Sequence, residues 1–174
     1  MYAAYLHDVG KLSIPSEILT KQEPLSSQEY HQLQSHPSAA LTLLESWPFL
    51  KTASIWIAHH HERWDGSGYP NGLKGAFIPL GSRIIAIADT FDVLTVRNPE
   101  EAETAWDVCL SIIKWYSGSQ FDPELMDIFS KLVPEWTTSR KEFLDNARCH
   151  DQRIESIQEA WHSADLANSY SLKP

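Results

Sequence analysis

The sequence predicts an all-α domain, and three observations carry this prediction. Apolar residues recur every three or four positions, which is the spacing of a buried helix face. Serine, glycine and proline stand at positions where helices commonly begin and end. No segment alternates apolar and polar residues, as a half-buried strand would. We therefore expect helices along the whole chain, joined by turns and by one long ordered loop.

The N-terminal part is expected to hold a series of short helices. Residues 2–7 predict the end of a helix that Gly10 terminates, because glycine readily adopts the backbone angles that close a helix. Ser26 or Ser27, followed by Gln28 and Glu29, forms a capping pattern for a helix to about residue 36, where Pro37 interrupts or restarts it. The first quarter of the chain is thus predicted to be helical but broken.

Three consecutive histidines mark the point where helix gives way to loop. Helices over about 40–47 and 50–58 precede them, and the second delivers His59–His61 at its C-terminal end. Residues 62–79 are rich in glycine and proline and predict a long ordered loop. Ordered loops of this length are often functional.

Helical spacing returns after the loop, over 81–96. Asp89 and Asp92 are three residues apart and are predicted to share a face, so that both carboxylates can reach one site. The apolar residues predicted to share another face are Ile84, Ile87, Phe91 and Leu94. Further helices are expected over 100–116, 123–132 and 139–167.

One domain accounts for most of the length. Residues 1–133 are expected to form the core, and 134–174 a C-terminal helical extension that belongs to the same domain or to a homodimer contact. Tryptophans at helical core spacing are expected to act as packing anchors. They include Trp56, Trp106 and Trp115.

Composition excludes several classes of function. Fourteen basic and twenty-three acidic residues leave a formal net charge of -9, so we expect no binding of polymeric nucleic acid. Cys109 and Cys149 fit no metal or disulfide spacing and favour a reduced, cytoplasmic location. The sequence has neither a signal peptide pattern nor an apolar run of about 18 residues, so no membrane segment is expected. A fusion partner upstream remains open.

Metal-binding side chains crowd around the predicted loop. His59–His61 and Glu62 precede Asp65 and a glycine-broken turn, and three consecutive imidazoles cannot all turn inward, so His59 is the weakest candidate of the three. Imidazole with carboxylate suits zinc, manganese or iron. The other candidate ligands lie in separate segments. They are His7, Asp8, His36 and Asp89.

Each of these signals has a simpler interpretation when it is taken alone. His7 could stabilise the C-terminal dipole of a helix, the triple histidine could be a surface tract, and the acids on the later helix could be a solvated face. Taken together, the set is more specific than its parts, because residue type, order and the glycine loop coincide. We interpret Asp8 as a carboxylate that bridges two metal ions, since each imidazole binds only one.

A metal cluster of this composition indicates phosphoester hydrolysis. Divalent ions screen the charge of a phosphodiester and lower the pKa of bound water from about 15.7 towards 7. Lys11 follows Asp8 by three residues and is interpreted as a catalytic cation that stabilises charge on phosphate oxygens.

Three motifs together resemble one family. Residues 7–11 read His-Asp-Val-Gly-Lys, residues 60–70 read His-His-Glu-Arg-Trp-Asp-Gly-Ser-Gly-Tyr-Pro, and residues 88–95 read Ala-Asp-Thr-Phe-Asp-Val-Leu-Thr. This combination is similar to an HD-GYP domain of the HD phosphohydrolase superfamily. The resemblance covers about residues 2–132 and includes a segment, 118–123, similar to the closing motif of the family.

The resemblance implies a fold, an activity and a ligand set. The fold is an HD-domain helical bundle with a long loop carrying Gly-Tyr-Pro, and the activity is hydrolysis of cyclic di-GMP to the linear dinucleotide or GMP. Two or three divalent ions are implied, iron or manganese first and zinc, nickel or magnesium as alternatives. The implied ligands are His7, Asp8, His36, His60, His61 and Asp89, with Asp8 and Lys11 as catalytic residues.

The same resemblance suggests a substrate side and partners. Gly68, Tyr69 and Pro70 are implied to border the pocket, with Asp92 and Arg97 on the substrate side. A GGDEF-type cyclase or a response-regulator module is an implied partner. These assignments concern the loop and the end of the helix that follows it.

Two departures from the family pattern keep other functions open. The usual helix before the His-Asp pair is not in this sequence, so we expect at least one ligand to be absent. Acidic residues stand at 100–101, where a second basic residue is usual. The alternatives are a non-catalytic signalling module and a phosphohydrolase for another nucleotide.

Overall fold

A computed structural model of the chain describes residues 2–96 and 102–133, and its regular secondary structure is helical. The predictions for Arg97, for residues 100–101 and for the extension over 134–174 lie outside these described residues. Within the described ranges there is no strand, only an isolated bridge between Ser117 and Phe121. The all-α prediction is confirmed.

Five helices form the first half of the domain. They are α1 (Tyr2–Leu6), α2 (Ser16–Leu19), α3 (Ser27–Leu33), α4 (His36–Leu44) and α5 (Lys51–Ala58). The capping box of α3 is present as predicted. Ser26 accepts the backbone N–H of Glu29, and the Glu29 carboxylate accepts that of Ser26. Pro37 is placed in the first turn of α4, where its missing N–H costs no hydrogen bond.

Three helices form the second half. They are α6 (Leu80–Val96), α7 (Ala102–Trp115) and α8 (123–133). Asp122 caps α8, because its carboxylate accepts the backbone N–H of Glu124 at 2.9 Å. Its second oxygen accepts a 2.6 Å hydrogen bond from Arg83 of α6. Asp122 therefore links the start of α8 to α6, the helix that follows the long loop.

Helix α6 is central because it contributes to both apolar cores. Ile85 joins a cluster with residues of α1, α4 and α5, whereas Ile87 and Phe91 join a second cluster with α7 and α8. Gly81 allows this position, since a Cβ there would overlap the Trp56 ring of α5. This close approach sets the start of α6 beside the end of α5. The three histidines follow directly after α5.

Three predictions about packing and helix ends are wrong. Gly10 does not terminate α1, which ends at Leu6; it lies in a 3-10 helix, Val9–Ser13, where a Cβ would overlap the His36 carbonyl. Ile84 is 50% exposed, because Ile85 and Ile87 face the two cores instead. Trp115 is 85% exposed at the last residue of α7, so it is not a packing anchor.

The other two tryptophans do contact the cores. Trp56 packs against the cluster of α1, α4 and α5, and Trp106 meets Phe91 edge-to-face with ring centroids 5.3 Å apart. In the described part of the chain, no helix is long and apolar enough to span a bilayer.

Candidate metal centre

Four separate segments bring the predicted ligands to one place. His7 and Asp8 form the turn after α1, and His36 is the first residue of α4. His60 and His61 lie in the turn that follows α5. Asp89 comes from the middle of α6. Their convergence depends on the glycine in the Val9–Ser13 segment, which lets the His-Asp turn lie directly against α4.

Three histidines form the most compact group. Each of His36, His60 and His61 offers one ring nitrogen, and these atoms lie within 4.8 Å of one another. The ring centroids of His60 and His61 are 3.9 Å apart, and that of His36 is 5.0 Å from His61. Nitrogens at such distances can share one cation.

Hydrogen bonds orient three of the imidazoles. The Nδ1 atoms of His7, His36 and His60 each lie 2.6 to 2.8 Å from a backbone carbonyl oxygen three residues earlier. A carbonyl can only accept, so each Nδ1 donates its proton to it; in a neutral ring this leaves the lone pair on Nε2, as in His36 and His60. The accepting residues are Ala4, Leu33 and Ile57.

Two of these lone pairs are buried without a hydrogen bond. Nε2 of His36 and Nε2 of His60 have no solvent contact and no hydrogen-bond partner among the described residues. Leaving a buried polar atom unsatisfied is costly, and such an atom calls for an explanation. A divalent cation is that explanation here, because neutral imidazole nitrogen is a common ligand of zinc, iron and manganese. The residues therefore fit the metal that their composition implies.

Asp8 lies between this group and a second one. Its Oδ1 is 3.4 Å from Nε2 of His36, and its Oδ2 is 3.5 Å from Nε2 of His7. The same His7 nitrogen is 3.4 Å from Oδ1 of Asp89. Lys11 donates a 2.8 Å hydrogen bond to Oδ2 of Asp8. The carboxylate thus faces ligands on both sides, as a bridging carboxylate must.

The pKa values divide the histidines into two kinds. The hydrogen bond with Asp89 outweighs burial and raises the pKa of His7 to about 9. Burial lowers the pKa of His60 to about 4, and it also lowers those of His36 and His61. At neutral pH the trio of His36, His60 and His61 is therefore neutral, which is the form that binds metal.

The charge of Asp8 is maintained despite its surroundings. Burial opposes ionisation, but the Lys11 ammonium and the neighbouring imidazoles hold the pKa of the Asp8 carboxyl below its usual value. An ionised carboxylate is the form that can bridge cations. At the same pH, His36, His60 and His61 thus present neutral nitrogens and Asp8 presents a charged carboxylate.

Other predicted site residues lie outside this cluster. Asp92 is exposed, and Asp65 is exposed and accepts hydrogen bonds from the backbone and hydroxyl of Ser67. His59 turns towards Glu62, with 3.6 Å between Nδ1 and Oε1. Of the two acids expected on one face of α6, the structure brings only Asp89 to the histidines.

The Gly-Tyr-Pro loop borders the cluster. Tyr69 stacks on His61, with ring centroids 4.9 Å apart and planes inclined by 29°. Gly68 is pressed against the chain, since a Cβ there would overlap backbone atoms of residues 61–63. The peptide bond between Tyr69 and Pro70 is cis. The loop therefore closes directly over one member of the histidine trio.

The residues that hold this loop are not evident from the sequence alone. Glu62 was grouped with the metal-binding side chains, but its carboxylate accepts backbone hydrogen bonds from Asn71 and Leu73. The carbonyls of Ser119 and Gln120 accept the N–H groups of two loop residues, at 2.8 and 3.1 Å. The backbone N–H groups of a glycine-rich loop have no helical carbonyls to bond to, so they need other acceptors. An acidic residue beside such a loop was the sequence signal for this role.

Comparison with known proteins identifies the family. Residues 1–125 match the family described as HD domain. A cyclic di-GMP phosphodiesterase of Thermotoga maritima is 36% identical over 152 residues, which cover 86% of this chain and 41% of the relative. The cyclic di-GMP phosphodiesterase response regulator RpfG of Xanthomonas campestris pv. campestris is 39% identical over 127 residues, or 72% of this chain and 34% of the relative.

A second nucleotide is named among the relatives. A 3'3'-cGAMP-specific phosphodiesterase of Vibrio cholerae is 40% identical over 124 residues, covering 71% of this chain and 29% of the relative. A solved cyclic GMP-AMP specific phosphodiesterase of V. cholerae has the same fold, with a TM-score of 0.57 and 22% identity over 90% of this chain and 41% of that one.

This chain belongs to the HD domain family, and the resemblance to its HD-GYP type is confirmed. It spans less than half the length of the relatives described above.

Proposed function

We propose that this chain is the core of a metal-dependent phosphodiesterase that hydrolyses cyclic di-GMP to the linear dinucleotide, GMP or both. The observation that carries the proposal is the convergence of two buried imidazoles, one half-buried imidazole and a lysine-paired carboxylate in one HD-GYP domain. Relatives at 36% and 39% identity are named for hydrolysis of this nucleotide. Composition agrees, because the net charge of -9 does not favour a long polyanion.

The proposed ligands fall into two groups that share Asp8. His36, His60 and His61 would hold one divalent ion together with one oxygen of Asp8, a division supported by the 4.8 Å limit on their nitrogen separations. His7 and Asp89 would hold a second ion with the other oxygen. Iron or manganese is the metal that we propose for this mixed nitrogen and oxygen set, with zinc, nickel or magnesium as alternatives.

The side chains around the ions have separate tasks. When bound, the divalent ions would screen phosphate charge and activate a water molecule. Lys11, which donates a 2.8 Å hydrogen bond to Asp8, would stabilise negative charge on phosphate oxygens. Gly68, Tyr69 and Pro70 would form the rim that the nucleotide meets. Asp92 and Arg97 are also proposed for the substrate side, although Arg97 lies outside the described residues.

The wider assembly is also part of the proposal. One relative is named a response regulator, and this chain covers 34% of it. We therefore propose that the domain is the output part of a signalling protein, with a response-regulator or GGDEF-type module as partner. Residues 134–174 are proposed to extend the same domain or to mediate a homodimer.

A substrate panel tests the proposed activity. Protein loaded with Mn²⁺ or Fe²⁺ is incubated with cyclic di-GMP or with 3'3'-cGAMP, and the products are separated by chromatography. We expect linear dinucleotide or GMP from cyclic di-GMP. Folded, metal-bound protein that converts neither nucleotide would reject the proposal. Conversion of 3'3'-cGAMP alone would favour the second candidate, which the 40% identical V. cholerae relative supports.

Asp8→Asn is the matched test of the site. An amide is neutral and bridges cations poorly, so turnover should fall by roughly 100-fold or more, the upper range for losing a residue that supports metal. Glu29→Gln is the control, because Glu29 pairs with Lys21 and caps α3 without contacting the cluster. Equal rates for Asp8→Asn and wild type would show that the cluster is wrongly assigned.

A further inference from the structure

A buried carboxylate beside the histidine trio bonds to the loop rather than to the trio. Glu62 follows His61 directly, and its side chain has no exposed surface. Oε1 accepts the backbone N–H of Asn71 at 2.8 Å, and Oε2 accepts that of Leu73 at 3.0 Å. Glu62 therefore fixes the chain immediately after the Gly-Tyr-Pro turn.

The loop held in this way places an aromatic ring on one histidine. The backbone N–H of Tyr69 donates to the carbonyl of His61 at 3.2 Å. The Tyr69 ring then stacks on the His61 imidazole with 4.9 Å between centroids. Glu62 thus holds the C-terminal end of the segment 69–73, and Tyr69 at its other end contacts His61.

His61 needs such support because it differs from the other histidines. His7, His36 and His60 are each oriented by a backbone carbonyl three residues earlier, through Nδ1. Over residues 2–96 and 102–133, no carbonyl holds the His61 ring in the same way. Ligating histidines ordinarily need a partner that fixes their orientation. Stacking on Tyr69 supplies that orientation here.

We propose that Glu62 is a positioning residue for His61, acting through the backbone of residues 69–73 and the ring of Tyr69. The consequence for metal affinity rests on the proposed metal site, whereas the positioning of the ring does not. Glu62 touches neither the nitrogens of the trio nor a reacting group, so its effect is indirect. Gly68 supports the account, since a Cβ there would push the loop away from Glu62.

Nuclear magnetic resonance of the metal-free protein tests the positioning directly. Glu62→Gln keeps one acceptor oxygen, but its NH2 group then faces the backbone N–H of Asn71 or Leu73. Two donors cannot bond to each other, so one loop hydrogen bond is lost. The ring-proton resonances of His61, which the stacked Tyr69 ring displaces, should move towards those of Tyr69→Leu. Glu62→Asp keeps the charge with a shorter reach and should shift them in the same direction. Glu29→Gln, the control, should leave them unchanged.

Cobalt binding tests the consequence. Titration with Co²⁺, followed by visible absorption, should show an affinity about 10- to 100-fold lower for Glu62→Gln and for Tyr69→Leu. Glu29→Gln, the control, should bind as wild type does. The double variant Glu62→Gln/Tyr69→Leu should bind no more weakly than Tyr69→Leu, because both changes remove one pathway.

The outcomes separate this inference from the proposed function. His61 resonances that stay at wild-type positions in both Glu62 variants would overturn the inference, as would losses of affinity that multiply in the double variant. Wild-type protein that binds no Co²⁺ would instead count against the metal site. In that case the resonance comparison still decides whether Glu62 positions His61.

Discussion

Metal binding should displace a proton from one histidine and not from the buried trio. The pKa of His7 is raised to about 9, chiefly by its hydrogen bond with Asp89, so at pH 7 about 99% of this imidazole is protonated. Nδ1 donates to the Ala4 carbonyl, and the second proton therefore occupies Nε2, the atom that would bind metal. A divalent ion can use Nε2 only after that proton leaves.

The magnitude follows from the same pKa values. The pKa of His60 is lowered to about 4 and those of His36 and His61 are also lowered, so these three rings release no proton at pH 7. We expect release of about one proton per chain from His7, and an affinity at that subsite that rises up to about 10-fold per pH unit between pH 7 and 9. Solvent screening of the partly exposed His7 makes this slope an upper bound.

Calorimetry measures the displaced proton. Mn²⁺ is titrated into metal-free protein at pH 7 in buffers of different ionisation enthalpy, and the slope of the observed enthalpy gives the number of protons released. His7→Gln should lower the release by about one proton, whereas the exposed His31→Gln should not change it. No net release from wild type, or equal release from His7→Gln, would refute the reasoning.

Three further predictions concern stability. Through His60, the unfolding free energy of the metal-free protein should fall by roughly 3 kcal/mol from pH 6.5 to 4. The unfolded chain binds a proton at His60 in this range, whereas the pKa of about 4 in the folded state keeps the ring largely neutral. An unfolding free energy from urea denaturation that does not change with pH would contradict this. Gly10→Ala should cost about 1–3 kcal/mol, since the added Cβ overlaps the His36 carbonyl, and Ser13→Ala in the same segment is the control. Asp122→Ala should cost about 0.5–2 kcal/mol by removing the α8 cap, measured as a lower thermal midpoint; an unchanged midpoint would deny the cap its role.

The sequence predicts best where one residue type has one local task. Ser26 and Glu29 form their capping box as expected, because both partners lie within one turn. The histidines at 60 and 61 lie beside His36. This could be predicted because the neighbouring helices have periods and ends that the sequence shows. Local signals and a motif set with fixed order were sufficient for the fold class and for the convergence of the trio.

Tertiary contacts account for most of what the sequence does not reveal. Gly10 resembles a helix terminator, but its lack of a side chain serves a close approach to α4 that only the folded chain defines. Ile84 has the period of a buried residue, yet α6 packs on two sides through its neighbours. Glu62 looks like a metal ligand until the path of the loop shows which N–H groups need an acceptor.

Metal content per chain is the most direct measurement of the central claim. Purified protein is loaded with Mn²⁺ or Fe²⁺, freed of excess ion and analysed by elemental mass spectrometry, beside Asp8→Asn and the Glu29→Gln control. We predict about two ions per chain for wild type and for the control, and fewer for Asp8→Asn, because one bridging oxygen and the negative charge are lost. Less than one ion per wild-type chain, or equal content in Asp8→Asn, would contradict a metal centre shared across Asp8.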